Sequence, residues 1–269
     1  MYELDYVKKR IRRKWVAIGG GISSIVVTSF CIVSFLGRFV GTFTVSLNTG
    51  DVKMAMSETE SFAETSTYLR VGAIPKFQEY TYSSFGYLGD ENIDSETTTY
   101  EYGANKDTKT GKLLSMNFLK YTFFVKNVGD KPCRYNFVLN YKSSAGSQTE
   151  SLDNTVRVMV YRNEHKGDHK STVYGKRSSE PHINELGEYD YRSPISTDVN
   201  DPYNEFMGYA EMFESSEVIT TIPVNMLKVN QINRFTVVLW LEGFRSNNGS
   251  AVPDKAKITI GAKINAYEI

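Results

Sequence analysis

The sequence predicts an all-β fold: an antiparallel jelly-roll or immunoglobulin-like β-sandwich with one short helix, preceded by a single N-terminal transmembrane helix. Three observations lead to this prediction. Residues 15–37 contain no charged side chain. After them, apolar and polar residues alternate in about eight short runs, as in half-buried strands. Turn-forming Gly, Asn, Asp and Pro residues separate many of these runs, and this spacing is typical of a β-sandwich.

The apolar segment 15–37 is long enough to be a membrane anchor. At about 1.5 Å per residue, a helix of this length crosses a hydrocarbon core of about 30 Å. The alternative is a cleaved signal peptide, whose apolar region is shorter and ends in small residues. Residues 34–38 offer no such cleavage site. We therefore expect an uncleaved helix that contacts membrane lipid through residues 15–37.

A cluster of basic residues directly before this segment predicts its orientation. The cluster consists of Lys8, Lys9, Arg10, Arg12, Arg13 and Lys14. Basic residues beside a span stay on the cytoplasmic side, although the same patch could also attract anionic lipids. The expected organisation is a cytoplasmic basic tail at 1–14, a transmembrane helix at 15–37 and an extracellular β-sandwich at 40–269. The predicted location is the cell membrane, with a single pass.

Composition argues against a nucleic-acid-binding protein and against a small secreted fold held together by disulfides. The 31 basic and 31 acidic residues balance over the chain, so the part that follows the basic tail is mildly acidic. Such a domain lacks the basic surface that nucleic acid requires, and no nucleic-acid partner is expected. Of the two cysteines, Cys31 lies in the apolar segment, so Cys133 has no disulfide partner within the outer domain. We expect Cys133 to be a small buried apolar residue.

The alternating runs predict individual strands and two hairpins. Strands are expected at 42–48, 52–57, 67–73, 116–126, 134–141, 156–160, 234–242 and 258–266. The turn Thr49–Asp51 should join the first two strands as a hairpin. The loop Asn127–Pro132 should join the fourth and fifth in the same way.

One helix is expected at 202–214. Asp201 would cap its N-terminus and Pro202 would occupy its first position, with Phe206, Ala210 and Phe213 following at helical spacing. The stretch 143–151 is rich in Ser and Gly and is interpreted as a loop, and the stretch 163–200 is polar.

The segment 76–112 is rich in aromatic residues but lacks a clear period. Two interpretations remain open: the aromatic side chains cover one end of the core, or they face a ligand or partner. If the aromatic side chains face a ligand or partner, the chain is predicted to be a carbohydrate-binding or sensor ectodomain. Its candidate surface residues are Tyr80, Tyr82, Phe85, Tyr87, Tyr100 and Tyr102.

Residues 164–169 are the only candidates for metal chemistry that the sequence suggests. Two histidines, His165 and His169, stand beside Glu164 and Asp168. Their spacing can hold a metal on a helix, and a metal-dependent hydrolase using His165 and His169 is one hypothesis. The alternative is a solvated polar loop. Since no other catalytic or cofactor-binding motif occurs, we expect a protein that is not an enzyme and has no cofactor.

Three stretches together resemble the TasA and camelysin family of surface proteins from low-GC Gram-positive bacteria. They are Gly41–Leu47, Tyr121–Pro132 and Phe235–Gly243, and in outline the resemblance covers 40–269. It implies a jelly-roll-like sandwich, export and a role as an extracellular fibre or surface structural protein. The chain departs from the family because its anchor is expected to be uncleaved. No protease motif is present that would carry over the activity attributed to camelysin.

These inferences combine into a membrane-anchored, surface-displayed β-sandwich with a structural or partner-binding role. Its expected partners are other surface proteins or cell-wall glycans. The first strand begins close to the membrane, near Thr42, and its apolar residues Phe43, Val45 and Leu47 need burial. We therefore expect this strand to pair within its own sandwich and not to complement a neighbouring subunit.

Overall fold

The computed structural model describes part of the chain, all of it within the second of two units, Phe39–Ile269. The described residues are 41–71, 79–82, 105–106, 109, 113–115, 118–145, 149–165, 168–196, 207–243 and 257–269. Most of them form β-strands arranged in two large facing sheets, so the prediction of a mainly β, sandwich-like fold is confirmed. No helix among these residues is long and apolar enough to span a membrane. The predicted transmembrane segment 15–37 lies outside them, as does the basic cluster at residues 8–14.

The strands and the helix of the described residues follow in chain order. They are β1 (Gly41–Asn48), β2 (Met54–Ser57), β3 (Tyr68–Arg70), β4 (Glu79–Tyr80), β5 (Asn105–Lys106), β6 (Leu113–Ser115), β7 (Phe118–Asn127), β8 (Cys133–Ser144), α1 (Thr149–Thr155), β9 (Val156–His165), β10 (Asp168–Gly175), β11 (His182–Ile183), β12 (Tyr189–Asp190), β13 (Pro194–Ser196), β14 (Met207–Tyr209), β15 (Glu211–Met212), β16 (Val218–Leu227), β17 (Ile232–Glu242) and β18 (Lys257–Glu268).

The two large sheets are mainly antiparallel. The five-stranded sheet has the order β16-β8-β18-β1-β3, and the seven-stranded sheet has the order β15-β10-β9-β17-β7-β2, with β4 paired to the end of β17. Three pairs are parallel: β1 with β18, β10 with β15, and β4 with β17. Three small two-stranded sheets, β5-β6, β11-β12 and β13-β14, complete the pairing of the described residues.

The core lies between the two large sheets and is built around stacked aromatic rings. Phe137 from the five-stranded sheet stacks on Phe235 from the seven-stranded sheet, with 4.6 Å between their ring centroids. Phe123 of β7 lies 5.6 Å from the same ring of Phe235. Cys133 is also buried, as expected, and burial raises the pKa of its thiol.

The first strand is paired on both of its edges. Its eight residues pair with β18, from Gly41 opposite Ile258 to Asn48 opposite Asn265, and β3 pairs with its other edge. Phe43 and Val45 are completely buried. The prediction that this strand pairs within its own sandwich is confirmed.

Both predicted hairpins are wrong, because each pair of strands is divided between the two sheets. β1 belongs to the five-stranded sheet, whereas β2 pairs with β7 in the seven-stranded sheet. β7 in turn pairs with β17, whereas β8 pairs with β18 and β16. Residues 49–53 and 128–132 therefore connect the sheets across the edge of the sandwich. Alternation shows which side chains face a core, but two strands that share a core can lie in opposite sheets.

The helix predicted at 202–214 is wrong wherever that range is described, and residues 201–206 lie outside the described residues. Met207–Tyr209 and Glu211–Met212 are strands. The main-chain N–H of Ala210 donates to Ser193 O, and that of Phe213 donates to Gly175 O, so contacts between strands replace helical bonds. The helix among the described residues is α1, which overlaps the loop predicted at 143–151. Its Leu152 is buried in the core, which gives this short helix its anchor.

Candidate ligand-binding groove

An open groove of about 1050 Å³ lies where the C-terminal end of α1, the residues after β10 and the turn before β16 come together. Its lining combines charged, hydroxyl and apolar side chains from segments that are distant in sequence. The lining residues are Asp153, Asn154, Lys176, Arg177, Ser178, Ser179, Tyr191, Met212, Phe213, Ser215 and Ser216.

Asp153 at the base of the groove is held by three donors. Its carboxylate accepts hydrogen bonds from Tyr141 Oη at 2.8 Å and from Ser143 Oγ at 2.5 Å. Lys176 Nζ forms an ion pair with it at 2.5 Å. Burial and the charge of Asp153 raise the pKa of Tyr141, so this hydroxyl remains a donor. Asp153 and Lys176 therefore form a fixed, neutral pair at the base of the groove.

Arg177 supplies the groove with a second cation. Its guanidinium lies 3.9 Å from the ring centroid of Tyr191. The backbone supports this arrangement, because the N–H of Ser178 donates to Tyr191 O at 2.8 Å. Among the described residues Arg177 takes part in no ion pair. The stacked, exposed guanidinium can therefore bind an anion from solution.

A compact polar cluster supports the segment that carries Tyr191. The carboxylate of Asp190 accepts hydrogen bonds from the main-chain N–H, Nε and Nη2 of Arg192. These bonds lower the pKa of Asp190, so its carboxylate is ionised at neutral pH. His182 Nε2 lies 3.5 Å from the same carboxylate, and the His182 ring stacks on Tyr209. This cluster ties the β11-β12 hairpin to β14 beside the groove.

Apolar side chains form another part of the wall. Phe213 packs edge-on against Tyr141, with 5.4 Å between the ring centroids. Met212 in β15 is 46 % exposed, and among the described residues β15 pairs only with β10. Behind this wall, Gly175 has no room for a side chain, because an added Cβ would lie 2.9 Å from Ser193 Cβ. The groove thus joins an unneutralised cation to an apolar surface at a sheet edge.

A buried polar network lies behind the groove. Arg157 is fully buried and donates from Nη1 to Asn154 O and Val156 O, and from Nε and Nη2 to Pro194 O. Burial lowers its pKa to about 10, so the guanidinium stays charged at neutral pH. These bonds tie α1 to β13 beneath the groove.

Glu242 of β17 lies in the same network and is buried. Trp240 Nε1 donates to its carboxylate at 3.0 Å, and the main-chain N–H of Tyr82 donates at 3.2 Å. Burial raises the pKa of Glu242 to about 7, although these bonds and the charge of Arg157 act in the opposite direction. At neutral pH this carboxyl therefore titrates.

This raised pKa predicts a pH dependence of stability. The unfolded carboxyl has a pKa of about 4.5, so between pH 4.5 and pH 7 the folded state binds more protons than the unfolded state. The free energy of unfolding should therefore fall as pH rises through this window, by up to about 3 kcal/mol. Urea denaturation at each pH measures the effect. The Glu242→Gln variant should lack this slope, whereas Glu268→Gln at the exposed end of β18 should keep it. An unchanged slope in Glu242→Gln contradicts the assignment.

The structure describes two of the six aromatic residues proposed for a ligand surface. Tyr80 is buried and packs against Phe118, with 5.5 Å between the ring centroids. Tyr82 is partly buried and stacks on Trp240 at 6.1 Å. Both therefore pack on the seven-stranded sheet. Phe85, Tyr87, Tyr100 and Tyr102 lie outside the described residues, and their role stays a prediction.

The two histidines of the metal hypothesis lie at the end of the β9–β10 pair where the chain passes from one strand to the next. His165 ends β9 opposite Asp168, and His169 in β10 pairs with Asn163. The interpretation of 164–169 as a loop is therefore wrong at 164–165 and 168–169, which belong to strands. In the described part of the chain, no three His, Cys, Asp or Glu side chains are grouped so that they could hold a metal ion together. The metal hypothesis stays a prediction.

Comparisons of the chain with protein-family models, with curated proteins and with solved structures found no match. The groove itself was not anticipated from the sequence. Lys176 and Arg177 fall in a stretch that the sequence marks only as polar, and Phe213 falls in the predicted helix. No local spacing signals that these residues meet Tyr191 and Asp153.

Proposed function

We propose that the chain is a single-pass membrane protein of the cell surface with a structural or partner-binding role and no catalytic activity. Residues 1–14 form the cytoplasmic tail, 15–37 the transmembrane helix that contacts lipid, and 40–269 the extracellular β-sandwich. Its partners are other surface proteins or cell-wall glycans. The TasA-like resemblance and the apolar, uncharged segment with its basic flank support this proposal.

The observation that carries the proposal is the position of β1. This strand begins only a few residues after the apolar segment and is paired with both β18 and β3. A chain that leaves the membrane at residue 37 therefore enters the sandwich directly, through a strand with both edges paired. Such a strand is not available to complete a neighbouring subunit, which supports a tethered protein over a fibre subunit.

The order of the strands supports the finer assignment to a jelly-roll or immunoglobulin-like sandwich. The chain passes from the seven-stranded to the five-stranded sheet between β7 and β8, and returns between β8 and β9. It crosses again between β16 and β17 and between β17 and β18. Repeated crossing between facing sheets is typical of Greek-key sandwiches.

Protease protection tests the proposed topology. An epitope tag at each end of the chain should report opposite sides of the membrane in intact cells. Added protease should remove the C-terminal tag and leave the N-terminal tag, whereas in lysed cells both tags should be accessible. The control replaces the six basic residues of 8–14 by Gln, which should weaken the orientation preference. A C-terminal tag that is protected in intact cells and cut only after lysis contradicts the proposal.

A further inference from the structure

In the described part of the chain, the groove contains one ion pair and one further charged side chain, that of Arg177. Of the residues that the structure describes, three charged side chains line it: Asp153, Lys176 and Arg177. Asp153 and Lys176 neutralise each other at the base, so the remaining charge of the lining is that of Arg177. A ligand that complements the groove therefore carries a negative charge at the position of Arg177.

The guanidinium of Arg177 is arranged to bind a carboxylate. Stacking on Tyr191 at 3.9 Å restricts its plane, and a planar guanidinium presents two parallel N–H donors to a carboxylate. Because this orientation exists before binding, less conformational entropy is lost when the ligand arrives. Tyr191 itself is kept in place by the Ser178–Tyr191 backbone hydrogen bond, and its two chain neighbours, Asp190 and Arg192, are hydrogen-bonded to each other.

The apolar part of the groove lies at a sheet edge. Met212 belongs to β15, the last strand of the seven-stranded sheet, and among the described residues that strand is paired on one side only. Such an edge is a template for an extended peptide, whose main chain can continue the ladder of hydrogen bonds. An apolar side chain of the peptide would then contact Met212 and Phe213, which both line the groove.

We propose that this groove binds an extended acidic peptide segment of a partner protein. A carboxylate of the segment pairs with Arg177, an apolar side chain packs on Met212 and Phe213, and its main chain runs along β15. This inference goes beyond the proposed function, because none of these contacts needs the membrane anchor. Failure of the groove to bind peptide would leave the topology untouched, since protease protection does not involve the groove.

The experiment uses the full chain in detergent micelles and two displayed peptide libraries. Each library presents eight-residue segments built from Val, Leu, Thr and Tyr together with either Asp and Glu or Lys and Arg. The acidic library should yield enriched binders and the basic library should not. The best acidic peptide is then labelled with fluorescein, and its Kd is measured by fluorescence anisotropy.

Variants locate the binding site. Arg177→Glu and Arg177→Met should each weaken binding by about ten- to a hundredfold, the range for loss of a charge-assisted hydrogen bond. Arg134→Glu is the matched control, because it makes the same charge change at an exposed site. Arg134 lies at the N-terminal end of β8, whereas Tyr141 and Ser143 near the C-terminal end contact Asp153 in the groove, so Kd should be unchanged. As Arg177 is exposed, its variants should keep the wild-type melting temperature.

In protein with ¹³C-methyl methionine, the peptide should shift the Met212 resonance, which is assigned with Met212→Leu.

Three outcomes overturn the proposal. The first is no enrichment of the acidic library over the basic one. The second is an acidic binder whose Kd is the same for wild type and Arg177→Glu. The third is a shift of the Met212 resonance by polygalacturonate when no acidic peptide binds, which would assign the groove to an acidic glycan.

Discussion

Removal of Gly41–Asn48 from the full chain is expected to abolish folding of the sandwich. The deletion removes the strand that joins β18 to β3 and takes Phe43 and Val45, both completely buried, out of the core. Loss of a buried Phe side chain alone costs about 3–5 kcal/mol, and a domain has only about 5–15 kcal/mol of stability. Near-UV circular dichroism and the dispersion of amide resonances measure the result, and both should show loss of tertiary structure.

The control keeps the strand and changes only its partly exposed face. Thr44→Ala should leave stability within about 1 kcal/mol, because its side chain is not part of the buried core. A deletion variant that melts cooperatively near the wild-type temperature would show that β1 is dispensable. The interpretation as a fibre subunit with a free first strand would then be favoured.

Phe235→Ala is expected to have the largest effect of any single substitution in the core. Its completely buried ring contacts aromatic rings from both sheets: Phe137 at 4.6 Å, Phe123 at 5.6 Å and Tyr135 at 6.4 Å between centroids. Truncation removes these contacts and leaves a cavity between the sheets. We expect a loss of about 3–5 kcal/mol in the free energy of unfolding, measured by urea denaturation.

Tyr267→Ala provides the comparison, since this aromatic residue also lies in a strand but is 45 % exposed. Its substitution should change the free energy of unfolding by less than about 0.5 kcal/mol. If Phe235→Ala and Tyr267→Ala were equally mild, the stacked rings would not form the centre of the core.

Strand positions could be predicted from the sequence, but strand partners could not. The alternation at Phe43 and Val45 identified β1, and that at Ile258 and Ile260 identified β18, with all four side chains buried as expected. The pattern contains nothing to show that these first and last strands are neighbours. Pairing depends on contacts across more than 200 residues, and short turns suggested local hairpins instead.

One long strand was missed for an identifiable reason. β16 contains irregularities between Val218 and Thr220 and between Val224 and Leu227, where its register with β8 shifts. Each shift interrupts the two-residue period, so the buried residues no longer alternate. Pro223 lies within β16, which is the edge strand of its sheet, where proline is tolerated.

The groove was beyond sequence reasoning because its chemistry comes from separate segments. Arg177 acquires its orientation from Tyr191, and Lys176 acquires its partner from Asp153 on α1. Each residue alone is an ordinary polar or aromatic residue of a surface stretch. Only the folded arrangement shows that Lys176 is neutralised by Asp153, whereas Arg177 has no ion-pair partner among the described residues.

Hydrogen exchange of the β1 amides tests the central claim most directly, namely that the strand following the proposed membrane segment is an integral part of the sandwich. The full chain in detergent micelles is transferred to D₂O, and exchange of amides in Gly41–Asn48 is compared with exchange in β18. If the claim is correct, the hydrogen-bonded amides of β1 exchange only through global unfolding, with the same free energy as those of β18. Exchange of β1 within seconds, while β18 remains protected, would contradict it.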